Sequence, residues 1–155
     1  MRGAEEERLE MRQDSRNDAL PAAGVPKPVI FFDDVCIMCN GFVNLILRAD
    51  RRKQFLFAPL RGETAGKILP PLSDDPGTWS MVYVDESGIH DQSDASLEVY
   101  RRLGGLWWLL SLARFIPRWI RNPVYRVIAR NRYRWFGKRE TCRIPSAEEK
   151  ARFLE

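Results

Sequence analysis

The chain has a single histidine, three cysteines and no apolar run longer than eight residues. Ser–His–Asp chemistry would have to centre on His90, which falls in an expected edge hairpin with no nucleophile signature beside it. Three cysteines are too few for a secreted disulfide scaffold. Ten glycines in 155 residues exclude a collagen-like chain. The longest apolar run, residues 106–113, has Ser111 inside it and falls far short of the roughly 20 residues that span a bilayer. The start is acidic and lacks an apolar h-region, so no secretory signal is read there and a cytoplasmic protein is expected.

What is present is a hydrophobic fraction of 45%, enough for one domain to bury its own core. Charge is distributed unevenly. Residues 106–143 hold ten basic side chains against one acid, Glu140, although the whole chain carries only +4. An anionic surface would meet that third of the molecule.

Residues 1–28 mix acids with arginines and end in Pro21, Gly24, Pro26 and Pro28, the composition of a disordered tail. Val29-Ile30-Phe31-Phe32 predicts a strand buried on both faces. The apolar positions from Ile37 to Leu47 predict a helix over 36–49. A second strand over 55–58, a short helix over 62–69, a third strand over 79–84 and a hairpin through Gly88 to 89–91 follow. Ser93 or Asp94 is expected to cap a helix that Gly104-Gly105 ends. Two further helices are expected over 106–116 and 117–130, Pro117 opening the second. The order β-α-β-α-β-β-α with a helical appendix predicts an α/β domain of thioredoxin-like type, a central sheet flanked by helices. The expected organisation is a tail (1–28), a domain (29–145) that includes the basic aromatic extension 106–136, and a tail or short helix (146–155).

The chemistry concentrates at Phe32-Asp33-Asp34-Val35-Cys36-Ile37-Met38-Cys39-Asn40. Two cysteines three apart, at the junction of a strand and a helix, can close a small disulfide ring. A helix N-terminus stabilises negative charge, so the first thiol should titrate below its free value of roughly 8.5. Cys36, at the helix mouth, is expected to be the exposed attacker, and Cys39, one turn in, the resolving thiol. Asp33 has two readings: a carboxylate that takes a proton from Cys39, or an ordinary helix cap, a role Asp34 could fill as well. Haem attachment would need a histidine where Asn40 stands, and an all-cysteine zinc site would need a second CxxC. A zinc site from Cys36, Cys39, His90 and Cys142 matches no usual spacing. Cys142 reads as an unpaired surface thiol, a third redox partner or an interchain bridge.

Asp33-x-x-Cys36-x-x-Cys39-Asn40 after an apolar strand resembles the signature of the DCC family of thiol-disulfide oxidoreductases, named for its Asp and two Cys. Ser93-Asp94-Ala95, Leu103-Gly104-Gly105, the run 131–138 (NRYRWFGK) and Thr141-Cys142 extend the resemblance over about 29–145. It implies a thioredoxin-like fold and dithiol chemistry at Asp33, Cys36 and Cys39. No cofactor or metal is implied, only a protein or small-thiol disulfide substrate and an external thiol reductant. Asp34 departs from the family's usual glycine, and a carboxylate pointing at the thiols would oppose a thiolate. Thioredoxin-like enzymes also face their CxxC with a proline before the third strand, and none adjoins Met81 here.

The extension 106–136 interleaves eight aromatics with arginines. Helical spacing of Trp119, Ile120, Val124, Val127 and Ile128 predicts packing against the domain. The alternative is contact with an anionic membrane surface or a protein partner, nucleic acid being disfavoured because no base-reading module is present. That alternative would make the chain a non-catalytic interaction module with structural or zinc-bound thiols.

Overall fold

In the computed structural model, which describes residues 28–140 and 144–154, Val29–Phe32 forms β1 with all four residues buried. The remaining residues, with most of the expected N-terminal tail and Cys142, lie outside the described part. Alternate side chains of β1 point to opposite faces. Ile30 and Phe32 pack with Val43 and Ile46 of α1 (Ile37–Ala49) and Val99 of α3 (Gln92–Leu103). Val29 and Phe31 pack with Leu60 and with Ala65 of α2 (Glu63–Ile68). Burying an Ile or Phe side chain in this way contributes about 2–3 kcal/mol, so the four-residue strand anchors both halves of the core.

β2 (Leu56–Pro59) lies parallel to β1, Val29 opposite Leu56 and Phe32 opposite Pro59. β3 (Val82–Asp85) runs antiparallel on the other side and forms a hairpin with β4 (Gly88–Asp91). The order β2-β1-β3-β4 makes a mixed four-stranded sheet flanked by helices, the thioredoxin-like α/β fold that the element order predicts. Beside β2, residues following the Lys150–Arg152 turn cover part of the edge. Leu154 N–H donates to Phe57 O at 2.8 Å, and Phe153 stacks on Phe57. Beneath them Arg152 pairs with the buried Asp50.

Several boundaries depart from expectation. The third strand begins at Val82: within the expected stretch, the Trp79 carbonyl accepts from Arg132 and the Met81 N–H donates to Tyr125 instead of pairing in the sheet. Asp91 is the N-cap residue of α3, its side chain making no capping bond to the helix. Ser93 and Asp94 fall inside its first turn, where Ser93 donates to Asn122 and Asp94 pairs with Arg118 and Arg121. Gly104 and Gly105, at φ 67° and 57°, end that helix as expected. The single helix expected over 106–116 is broken into a 3₁₀ turn, the short α4 (Trp108–Ser111) and a second 3₁₀ turn, Leu112–Phe115. Helix α5 (Arg118–Phe136) continues beyond 130 and contains Pro123, while Pro117 precedes it as the cap residue.

The largest correction concerns packing. Trp119 is 76% exposed, and Ile120, Val124, Val127 and Ile128 are exposed as well. Helical spacing identifies a stripe but not which stripe turns inward. Here α5 sets Tyr125, Ala129 and Arg132 against the domain, where Tyr125 Oη accepts Met81 N–H at 3.1 Å and Arg132 reaches Asp33.

Candidate active site

Asp33, Cys36 and Cys39 meet between the end of β1 and the start of α1. The turn is built by the local backbone: Cys36 N–H donates to Asp33 O at 3.3 Å, and Val35 N–H to Asp33 Oδ1 at 3.2 Å. Asn40 fastens it from inside the helix, its buried amide donating to Asp34 O at 2.7 Å and to Cys36 O at 2.8 Å.

Cys36 is itself the N-cap of α1. Its extended backbone places Sγ where it accepts Cys39 N–H at 3.3 Å. Neither Asp33 nor Asp34 caps the helix, so that reading of the carboxylates does not hold. The Cys36 thiol is pulled down to about 7, first by its hydrogen bond with the Cys39 thiol, then, against the opposing effect of burial, by the Cys39 backbone N–H and the Arg132 charge. Cys39 is pushed up by the same shared hydrogen bond, by burial and by repulsion from a charged Cys36. Both cysteines are free thiols.

Exposure reverses the expected order. Cys36 is fully buried, and Cys39 is the half-buried one, lining a small cavity with Met38, Met81, Tyr125 and Ile128. Residues 137–139 cover Cys36: Arg139 N–H donates to Val35 O at 2.7 Å, Ile37 N–H to Gly137 O at 3.4 Å, and Lys138 bridges Cys36. A helix mouth is usually open, but here the chain returns from α5 and lies across it.

Asp33 faces inward, 2% exposed, and its Oδ2 accepts from Arg132 Nη2 at 3.0 Å and from the Tyr133 hydroxyl. Arg132 also donates to Trp79 O at 2.6 Å and Pro76 O at 2.9 Å. Burial foremost, then the bond to Asp33, pushes the Tyr133 hydroxyl up to about 12, so it stays a donor. Asp34 points elsewhere, its Oδ1 3.0 Å from Arg61 Nη2, where an opposite charge offsets it. No proline adjoins Met81, and the Met81 N–H donates to the Tyr125 hydroxyl at 3.1 Å.

Arg132, Tyr133, Asn40 and Tyr125 are the residues that sequence reasoning missed as parts of the site. For Arg132 and Tyr133 the available signal was the run 131–138, and for Asn40 its place in the Asp33–Asn40 signature, both of which carried the family resemblance but no assigned role. His90 lies elsewhere, in the β3–β4 hairpin. Its Nε2 faces both Ser87 Oγ at 3.0 Å and Asp85 Oδ1 at 3.4 Å, so one nitrogen meets both groups instead of relaying between them. Among the described residues no three His, Cys, Asp or Glu side chains form a metal-holding group, and Cys142 lies outside them.

A family model described as DCC1-like thiol-disulfide oxidoreductase matches residues 30–138. The chain is 37% identical over 131 residues to the uncharacterized protein YuxK of Bacillus subtilis (strain 168), an alignment covering 84% of this chain and 96% of that protein. It is 29% identical over 120 residues to the DCC family protein At1g52590, chloroplastic, of Arabidopsis thaliana, covering 76% of this chain and 70% of the relative. No solved structure matches it.

Proposed function

The chain belongs to the DCC1-like thiol-disulfide oxidoreductase family, and from that premise we propose that it exchanges disulfides through Cys36 and Cys39. The observation that carries the reading is Cys36 Sγ at the cap of α1, accepting Cys39 N–H, with its titration drawn down to about 7. At neutral pH a large share of this thiol is thiolate, the species that attacks disulfides.

The Cys36 thiolate attacks one sulfur of a substrate disulfide, forming a mixed disulfide and releasing the other sulfur as a thiolate. Cys39 then loses its proton to solvent through the cavity and attacks Cys36 Sγ. The second substrate thiolate leaves, and a Cys36–Cys39 disulfide remains. The substrate gains two electrons and the dithiol loses two, which an external thiol reductant restores. Asp33 accepts from Val35 N–H, Arg132 and Tyr133, so it holds Arg132 beside the thiols and tunes them. Because residues 137–139 lie over Cys36, the first step requires that segment to withdraw.

The test is capture of the mixed disulfide. Cys39→Ser, given oxidised glutathione or a disulfide-bonded protein, should accumulate an adduct on Cys36, whereas Cys36→Ser should not form one. An adduct on Cys39 alone would reverse the assignment, and none on either would remove the exchange reading. For the wild-type protein, a potential between about −270 and −120 mV in a glutathione titration is expected. The alternative, an interaction module with structural or zinc-bound thiols, draws on the exposed face of α5. It predicts that both serine variants keep the chain's function.

A further inference from the structure

Helix α5 carries three stripes. Tyr125, Ala129 and Arg132 turn to the domain. On the adjoining flank, turning away from the domain, Ile120, Val124, Val127 and Ile128 follow one another at helical spacing, 42%, 56%, 54% and 37% exposed, with Trp135 at 55% two turns on. Beside them Arg126, Arg130 and Arg134 repeat every four residues, all exposed and without an ion-pair partner among the described residues. Trp119, at 76%, stands on the basic flank. No Asp or Glu occurs anywhere in residues 106–136. Isolated apolar side chains on a surface are ordinary, but a continuous apolar stripe flanked by one sign of charge marks a contact surface.

We propose that this face of α5 docks on an anionic lipid surface, the helix lying in the plane of the interface. Charge complementarity selects the occupant. A second copy of the chain would bring an arginine stripe with no acidic stripe in the same segment to answer it, a repulsive pairing. The indoles favour lipid over an acidic protein, since an apolar ring with one polar N–H suits the headgroup level of a bilayer. Nucleic acid would satisfy the arginines but leave the apolar stripe in water. Insertion across the bilayer is not involved, because no helix among the described residues is long and apolar enough to cross one. Ile128 belongs both to the stripe and to the lining of the Cys39 cavity, so docking would bring the cavity rim to the lipid boundary. The proposal stands independently of what the thiols do.

The test uses the full chain and vesicles of phosphatidylcholine, alone or mixed with phosphatidylglycerol, read by co-sedimentation and by the blue shift of tryptophan emission. Binding to the mixed vesicles should exceed binding to the neutral ones by about tenfold or more and weaken with salt. Trp119→Ser with Val124→Ser, and separately Arg126→Gln with Arg130→Gln and Arg134→Gln, should each lower it by about tenfold or more. These side chains face solvent, so circular dichroism should be unchanged. Failure to bind the mixed vesicles overturns the proposal, as does binding that both variants retain. A dimer in light scattering that Val124→Ser dissolves would assign the face to a second copy. Retention by an acidic protein or nucleic acid, without lipid binding, would assign it to that partner. Either result overturns the lipid reading.

Discussion

Arg132 Nη2 lies 3.0 Å from Asp33 Oδ2 across 99 positions of chain, with both side chains almost wholly buried. Through that pair α5 is fastened to the loop that carries the dithiol, and a positive charge is held where it favours a thiolate. Asp33 acts in the opposite sense on both thiols, so the pair sets the local potential by difference.

Arg132→Met should therefore cost about 3–5 kcal/mol, because it strands a buried carboxylate. Adding Asp33→Asn should recover much of the loss, since the uncompensated charge is then gone. Urea denaturation of the two variants measures the difference, and equal stabilities would show that the pair does not act as a unit.

The rate at which Cys36 is alkylated should rise with a midpoint near pH 7, below that of an ordinary thiol. A folded-state value below the unfolded one stabilises the fold above the unfolded pKa, and that contribution is lost as pH falls through the folded value. The reduced protein should gain about 1–2 kcal/mol between pH 7 and 9, a slope that Cys36→Ser lacks. Above about pH 9 the raised Cys39 reverses the trend, because the unfolded chain then ionises first. Chemical denaturation at several pH values checks both signs.

Gly137→Ala tests the segment over Cys36. Gly137 has φ 90°, where side chains are strained, and an added Cβ would meet Ile37 Cδ1 at 3.2 Å. The substitution should cost about 1–2 kcal/mol and speed alkylation of Cys36 as the cover loosens. Slower alkylation would mean that the segment assists access instead of limiting it.

Arg152→Met should destabilise by about 3 kcal/mol or more, since Asp50 would keep a buried charge without its counter-ion. Asp50 also accepts Phe55 N–H at 3.1 Å, at the entrance to β2, so loss should spread to that edge of the sheet. Amide exchange at Leu56 and Phe57 would report it.

What could be read from sequence was local. β1, α1 and the Gly88 hairpin each rest on a run of residues whose pattern has one folded solution, and the dithiol stands at their junction. Orientation was less legible. The apolar spacing of Ile120, Val124 and Val127 is the same whether the stripe faces core or solvent, and what decides is the deep anchoring of Tyr125 and Arg132 on another face of the helix. The exposure of the two thiols was likewise misread, because what covers Cys36 arrives from residues 137–139, about a hundred positions away. Asp33 was identified as a site residue, but its partners lie on a helix whose contacts no local pattern reveals.

The pairing of Leu154 with Phe57 has a consequence for self-association. Open sheet edges invite strand addition from other molecules, and short or covered edges resist it. On the β2 side the chain's own residues occupy part of that edge. On the other side β4 offers four residues before Gln92, at φ 52°, turns the backbone into α3. A template that short, carrying Asp91, is a poor seed for intermolecular β-growth, so the sheet is guarded against aggregation at both margins.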